Sequence, residues 1–445
     1  MAWVAGTVPI SVKRFDSRNP NRWLQVSTER IHRPPPQNRT RYNRPVSLAP
    51  ANPVPEALAG RSDCGRALAG FLLLGFLMAL LGAVLPAWGY HRDPPDFVAV
   101  GNDFLSLAVG VIAPLAWARK LIAARGLPRV LSLASAAASV ALVYLSLVPP
   151  PSSNWLRGAG LLVLGAAAGS LSLGLFRAIS PAYQQDPAGT AVRGGIWYGL
   201  GSLGATLLVA GTFYAYSVRT ILVFMAAIPA VFAVLYARST FAAQPESVQP
   251  TLRQAVRDFR SLGAILMALL LFFQFGSEWT VAGWMPIFLI RRVGISTEEA
   301  LLLLAFFWLC LLVGRSIVVA LLPRVRHGVL LLVSVAAALF GWLLLYAAPN
   351  GFGAGSGAFF LGAGFASIYP LMAETIGRRF PYYHPGFFNG IFSLAQVGGL
   401  LAPASLGYMA YFGGVGVVIG IPLLGTFVVA ALLALIWLES KVTGR

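Results

Sequence analysis

Long apolar runs, each of about 20 residues, recur along this chain after residue 60. A helix needs a run of that length to cross the hydrocarbon core of a bilayer, whereas the core of a soluble protein does not. Only 11% of the 445 residues are charged, about half the share found in a soluble domain. The chain is therefore predicted to be an all-α membrane protein. Its twelve predicted spans are 66–88, 97–118, 128–148, 156–177, 194–216, 219–238, 261–290, 300–322, 328–348, 353–375, 386–410 and 415–438.

Basic residues in the connecting loops predict the orientation, because Lys-rich and Arg-rich loops stay on the cytoplasmic side. With the N-terminus inside, the inner loops are strongly basic. The outer loops hold only Arg92, Arg157, Arg219, Arg291 and Arg292. We therefore expect both termini in the cytoplasm. A bias toward Ala, Gly, Leu and Arg is typical of a GC-rich bacterial gene and favours the bacterial inner membrane.

The formal net charge of +18 follows from this topology. Most of the surplus lies in the inner loops and the N-terminal tail, where it attracts anionic headgroups, so we expect no nucleic-acid partner. Cys64 and Cys310 are too few for a disulfide framework or a metal cluster. No metal or cofactor is predicted.

Two segments differ from the apolar bulk. The tail, residues 1–60, is rich in Pro, Arg and Asn and has no apolar period, so we expect it to be disordered. It is too polar for a secretory signal peptide, but a transit peptide and an over-extended gene start stay open. The polar linker 239–260 is predicted to be cytoplasmic. Its second part fits an amphipathic helix with Leu252, Val256 and Phe259 on one side.

An internal repeat appears at an offset of about 195 to 200 residues. The matches are Pro86 with Pro286, 164–171 with 361–368, and 194–204 with 389–399. They occur in the same order in both parts of the chain. We therefore predict two pseudo-symmetric six-helix bundles, 61–238 and 261–445.

With this layout, the chain after residue 60 resembles the major facilitator superfamily of secondary transporters. Its loop "AARGLPRVL" keeps Arg125 and Arg129 of the family's basic loop motif but has Ala124 where an acid is expected. The corresponding stretch 314–328 keeps Arg315 and also lacks the acid. The resemblance implies that these arginines serve the inner gate, with an incomplete charge latch. "GSEWTVAGWMPIFL" and "GAGFASIYPLMAE" are similar to the fucose, galactose and gluconate proton symporters.

One acid stands deep inside the seventh predicted span. A charge at such depth costs about 2.5 to 3.5 kcal/mol on insertion scales and needs an explanation. Glu278, with Gln274 one turn earlier on the same face, is predicted to bind substrate or carry a proton. The alternative is a structural acid bonded to a neighbouring helix. Trp279 is predicted to stack on a substrate.

Two further pairs of polar residues are candidates. Asn102 and Asp103 are predicted either to line the outer vestibule, with Asp103 as a second proton carrier, or to reach back to the interface. Arg315 and Glu374 are predicted to form an inner-gate pair, the alternative being independent snorkelling.

Four residues complete the predicted substrate site. Asn389, Gln396 and Tyr369 either hydrogen-bond the substrate or join helices to one another. Trp197, with its neighbour Tyr198, is predicted to add an aromatic wall.

Enzyme signatures such as HExxH, a Walker A loop and a GxSxG elbow are absent from the sequence. We therefore expect no enzyme but a monomeric secondary transporter of a sugar or another small organic molecule, working by alternating access. Protons are the expected coupling ion, and the bilayer is its other partner. A membrane-embedded lipid-modifying enzyme and a non-transporting receptor with a transporter fold remain alternatives.

Overall fold

The computed structural model describes residues 56–241, 256–257, 259–380 and 390–443. Most of the predicted disordered tail and much of the linker, including Leu252, lie outside these residues, as does Asn389. The described part is helical and contains no strand.

Thirteen α-helices are assigned within the described residues. They are α1 (Glu56–Ala87), α2 (Phe97–Ile112), α3 (Ala118–Arg125), α4 (Leu127–Leu147), α5 (Asn154–Gln185), α6 (Pro187–Thr212), α7 (Val218–Ala237), α8 (Leu262–Phe288), α9 (Thr297–Leu321), α10 (His327–Ala347), α11 (Gly351–Arg379), α12 (Ile391–Gly413) and α13 (Val417–Thr443). A 3₁₀ helix, Ala113–Ala116, follows α2, and a π-helix, Leu289–Val293, follows α8.

Twelve of these helices, all but the short α3, coincide with the twelve predicted spans. Among the described residues, eleven are long and apolar enough to cross a membrane. The exception is α6, whose 26 residues include seven glycines that lower its hydropathy. The start of α1 at Glu56 precedes the predicted start of the first span. The second span consists of α2 and the 3₁₀ helix after it, Phe97–Ala116, and so ends close to the predicted position 118.

Polar residues at the helix starts explain where several helices begin. Asp96, Ser217, Ser296 and Asn350 each accept a hydrogen bond from the backbone N–H three residues further on. Such a cap satisfies a donor that has no partner within its own helix and contributes about 1 kcal/mol. The caps therefore fix the boundaries between apolar runs that are otherwise hard to separate.

The packing repeats between the two parts of the chain. The pairs α1–α6, α2–α5, α4–α5 and α4–α7 correspond to α8–α12, α9–α11, α10–α11 and α10–α13. In the first pair, a Cβ on Gly201 would lie 1.8 Å from the Leu72 carbonyl oxygen. In its counterpart, a Cβ on Gly398 would lie 2.2 Å from the Phe272 carbonyl oxygen. The fold is thus two pseudo-symmetric six-helix bundles, as predicted.

The bundles meet closely near the ends of α1 and α8, on the predicted outer side. A Cβ on Gly82 of α1 would lie 1.9 Å from the Ala282 carbonyl oxygen of α8. Gly101 of α2 and Gly407 of α12 are in similar backbone contact, with a Cβ on Gly407 lying 2.5 Å from the Gly101 Cα. Only glycine allows helices to approach this closely, so these positions close the bundle at this end.

Candidate functional site

A cavity of about 790 Å³, including space open to solvent, lies between the two bundles. One bundle lines it from α1, α5 and α6, and the other from α8, α9, α11 and α12. It extends from the middle of α8, at Glu278, to Tyr183 and Thr190 at the junction of α5 and α6. That junction is on the predicted cytoplasmic side. The cavity therefore reaches toward the end of the molecule opposite the glycine contacts.

An ion pair forms part of the cavity wall. Arg315 Nη2 of α9 donates to Glu278 Oε1 of α8 at 3.2 Å, and both side chains are only 6% exposed. Arg315 Nη1 donates to the Gly195 carbonyl oxygen of α6 at 2.7 Å. One guanidinium thus binds an acid of its own bundle and the backbone of the other bundle.

Aromatic rings surround this ion pair. Trp279 and Tyr369, both predicted from the sequence as substrate contacts, line the cavity. Tyr369 packs edge-on against Phe275, with ring centroids 5.2 Å apart. Tyr198 lines the wall formed by α6 and packs against Trp308 of α9 at 6.4 Å. Gln396 contributes an amide from α12.

The opposite side of the molecule is closed by a buried tryptophan. Trp284 is fully buried, and its Nε1 donates to the Pro403 carbonyl oxygen at 2.9 Å. Its ring packs on Phe97 and Phe104 of α2, each with centroids 6.1 Å apart. Trp284 therefore joins α8, α12 and α2 and does not anchor the protein at the membrane interface.

Comparisons with known proteins agree with this architecture. Residues 191–403 match the sequence model of the Major Facilitator Superfamily. Three similar solved structures are a mutant of the nucleoside transporter NupG, the E. coli fucose:proton symporter FucP and a D-xylose-proton symporter. Their TM-scores are 0.62, 0.56 and 0.64, at 15%, 15% and 14% identity. The matches cover 84%, 85% and 83% of this chain, and 99%, 99% and 97% of theirs. No curated protein sequence matches significantly.

The chain has the major facilitator fold. The resemblance to this superfamily inferred from the sequence is confirmed at the level of the fold, which the fucose:proton symporter FucP shares. At 14% to 15% identity, the solved structures establish the fold and leave the substrate open. In this major facilitator fold the cavity lies between the two bundles, and Glu278 stands at its wall.

Several predicted residues lie away from this cavity. Gln274 is 1% exposed, and within the described residues neither its amide nitrogen nor its oxygen has a hydrogen-bond partner. Asn102 accepts a hydrogen bond from the Tyr408 hydroxyl at 2.5 Å and so links α2 to α12. Trp197 is 36% exposed and does not line the cavity, whereas its neighbour Tyr198 does. Asn389 lies outside the described residues.

Asp103 does not reach back to the interface or line the cavity, because it is fully buried in a separate ion pair. Arg157 Nε donates to its Oδ2 at 3.1 Å, and the Tyr90 hydroxyl donates to the same oxygen at 3.0 Å. The Arg157 guanidinium also lies 5.8 Å from the centroid of Trp88. Arg157 was assigned to an outer loop from the sequence, but it is 1% exposed within α5.

The predicted pair of Arg315 and Glu374 is not formed. Arg315 pairs with Glu278, as described above, whereas Glu374 pairs with Arg378 one turn later and lies 3.3 Å from His327 Nδ1. The reason is position: Arg315 lies at the cavity wall, and Glu374 near the end of α11. Arg125 and Arg129, the other predicted inner-gate residues, are exposed at the end of α3 and the start of α4.

A further contact between the bundles lies in the loops on the closed side. Arg291 Nη1 is 2.6 Å from Asp93 Oδ1 and 3.3 Å from the His91 carbonyl oxygen. Burial lowers the pKa of His91, and the nearby Arg92 lowers it further. Burial also raises the pKa of Tyr90, helped by the charge of Asp103. Both groups therefore stay neutral at physiological pH.

Proposed function

We propose that the protein is a secondary transporter that moves a small organic molecule across the membrane by alternating access, coupled to protons. The observation that supports this proposal most strongly is that Arg315 forms one hydrogen bond to each bundle. This residue binds Glu278 in one bundle and the Gly195 carbonyl oxygen in the other, at the wall of the central cavity. A ligand that competes for these hydrogen bonds acts on the contact between the bundles.

Alternating access requires two states in which the cavity opens to opposite sides. In the present state, the glycine contacts and Trp284 close the predicted outer side. At the other end, the Tyr183 hydroxyl donates to the Ala373 carbonyl oxygen across the bundles at 3.4 Å. Rocking the bundles about the cavity would loosen one set of contacts and tighten the other.

Glu278 is the proposed proton carrier. It is the acid at the cavity wall, and its charge is balanced by Arg315. When Glu278 accepts a proton, it loses its charge, and Arg315 becomes free to bind another partner. The names of FucP and the D-xylose carrier, both proton symporters, support proton coupling.

Three cavity residues that the sequence indicated are proposed to contact the substrate: Trp279, Tyr369 and Gln396. Tyr198 is added to them on the basis of the structure. We further propose that the bundles correspond to 61–238 and 261–445, with both termini in the cytoplasm, and that the protein works as a monomer in the bacterial inner membrane.

Uptake into proteoliposomes tests this function. The full-length protein is reconstituted, and accumulation of sugars, nucleosides, organic acids and organic amines is measured with an inward proton gradient. The expected result is saturable accumulation of at least one compound, abolished by a protonophore. Accumulation that is unaffected by the protonophore would contradict proton coupling. The absence of any protein-dependent flux across all four classes would contradict the transporter assignment.

A further inference from the structure

We infer that the transported molecule is an organic anion with a flat apolar body, a carboxylate on an aromatic or alicyclic ring, and that it moves together with one proton. This inference rests on the proposed function and narrows its substrate class. It follows from three features of the cavity: the chemistry of its ion pair, its hydrogen-bond donors and its apolar walls.

The two partners of the ion pair respond differently when a ligand separates them. An arginine stays protonated in proteins, whereas a carboxylate is neutralised by a single proton. A cationic ligand that takes Glu278 would leave Arg315 buried with an uncompensated charge, which is strongly unfavourable. An anionic ligand that takes Arg315 leaves Glu278, which a proton from water neutralises. The ion pair therefore favours an anion over a cation.

This exchange also sets the coupling. On binding, the anion accepts hydrogen bonds from Arg315 while Glu278 accepts one proton, so the net charge of the site does not change. On the other side of the membrane the anion leaves, Glu278 returns its proton to water and the pair with Arg315 forms again. One anion and one proton cross together, and the cycle moves no net charge.

Arg315 retains hydrogen-bond donors that its two bonds to the described residues do not use. A guanidinium has five N–H groups. Within the described residues, Arg315 uses its Nη2 for Glu278 and its Nη1 for Gly195. Tyr198, Tyr369 and Gln396, whose side chains each carry a hydrogen-bond donor, line the same cavity. A carboxylate only accepts hydrogen bonds and so fits this surplus.

The remaining walls are mostly apolar and largely aromatic. Ser172, Tyr183 and Thr190 are their other polar residues, and the last two already donate to backbone carbonyl oxygens. The apolar lining consists mainly of the side chains of Phe71, Leu74, Met78, Phe176, Phe275 and Trp279. A sugar or another polyol needs hydrogen-bond partners on several sides, and hydroxyls left without partners in such walls are costly. A ring, in contrast, packs well against aromatic faces. The body of the ligand is therefore flat and apolar, with its charge at the end that faces Arg315.

Matched ligands test this inference on the purified full-length protein. Binding of 4-hydroxybenzoate and of 4-hydroxybenzamide, which has the same ring without the charge, is measured by calorimetry at about pH 7. Buffers of different ionisation enthalpy report the protons taken up. We expect the benzoate to bind at least about tenfold more tightly than the amide, with uptake of about one proton per anion. Cyclohexanecarboxylate should behave like the benzoate.

Variants separate the roles of the two charges. Glu278→Gln should still bind the anion but take up no proton, and Arg315→Gln should lose the preference for the anion over the amide. Arg292→Gln and Glu298→Gln remove exposed charges of the same kinds and serve as controls that leave both readouts unchanged. Proton uptake that persists in Glu278→Gln would overturn the assignment of this residue.

The outcomes distinguish the substrate class from the function. Equal affinity for benzoate and benzamide, or binding of the benzoate without proton uptake, overturns the inference. If no carboxylate binds but uridine or D-xylose accumulates in proteoliposomes under a proton gradient, the substrate class is wrong and the transporter function stands. If neither carboxylates nor neutral solutes bind or move, both proposals fail.

Discussion

Gly195 lies against Arg315 so closely that a Cβ at position 195 would be 3.2 Å from the guanidinium carbon. The same glycine supplies the carbonyl oxygen that accepts a hydrogen bond from this arginine at 2.7 Å. The contact between the bundles therefore depends on a backbone position without a side chain. A side chain at position 195 requires the guanidinium to shift by a few tenths of an ångström.

Gly195→Ala is accordingly expected to slow proton-driven uptake several-fold, because the new methyl group shifts Arg315 away from the carbonyl oxygen. Initial uptake rates in proteoliposomes provide the measurement. Gly204→Ala on the same helix is the matched control, since a Cβ there meets no atom within 4 Å. This control should transport normally and gain about 0.5 to 1 kcal/mol in stability. Equal uptake rates in the two variants would contradict the role of Gly195.

The buried pair of Asp103 and Arg157 is expected to stabilise the fold. Asp103→Asn leaves Arg157 buried without its charge partner and should cost about 3 to 5 kcal/mol. Thermal unfolding of the purified protein in detergent tests this. Asp186→Asn breaks an exposed pair with Arg193, in which the aspartate side chain is 54% exposed, and should cost less than about 1 kcal/mol. Similar losses for both variants would mean that the buried pair is not a stabilising feature.

The pair of Arg291 and Asp93 is expected to favour the state in which the outer side is closed. Because Asp93 is 81% exposed, the pair is worth less than about 1 kcal/mol, enough to change a two-state population several-fold. In a background with Cys64→Ala and Cys310→Ala, a cysteine introduced at Ala282 should react faster with maleimide when Asp93→Asn is added.

Salt provides an independent test of the pair of Arg291 and Asp93. High ionic strength weakens exposed ion pairs, so it should speed labelling at position 282 in the protein that retains Asp93 and have little effect in Asp93→Asn. Glu298→Gln, which removes another exposed acid, should label at the original rate. An unchanged labelling rate in Asp93→Asn would show that the pair of Arg291 and Asp93 does not control the opening of the predicted outer side.

The lowered pKa of His91 predicts a pH dependence of stability. Burial and the neighbouring Arg92 make the folded protein bind fewer protons at this site than the unfolded chain. Stability should therefore decrease as the pH falls below the ordinary histidine pKa of about 6.5. His91→Gln should flatten this part of the stability profile, measured by thermal unfolding at a series of pH values. If His91→Gln lost stability at low pH more steeply than the unmodified protein, the predicted sign would be wrong.

The helices could be predicted from the sequence because apolar length alone identifies a membrane span. The side-chain pairs that join one helix to another could not be predicted in this way. Arg157 lies just after the polar residues 152–154 and at the start of its predicted span, so its burial in α5 has no local signal. Its partner Asp103 lies on another helix, and only the packing of α2 against α5 brings the two together.

Only part of the candidate site could be predicted from the sequence, because its residues come from different helices. Glu278 stood out because a lone acid in an apolar run is costly, and the structure places it at the cavity. The sequence predicts the wrong acid as the partner of Arg315, because a position along the chain does not say which face of α9 the side chain occupies. Tyr198 and Trp197 are adjacent in the sequence, so only the helical period distinguishes them. Tyr198 shares a face of α6 with the small residues Gly194, Gly201 and Ser202, which are buried. That spacing was the signal in the sequence that favours Tyr198 over Trp197.

Two modes of transport in Glu278→Gln separate proton coupling from substrate movement. Exchange of labelled for unlabelled substrate requires no net proton movement, whereas accumulation against a gradient does. We predict that Glu278→Gln keeps exchange but loses accumulation driven by an inward proton gradient, while Glu298→Gln keeps both. Proton-driven accumulation at the unmodified protein's level in Glu278→Gln would contradict the central claim that this carboxylate carries the proton.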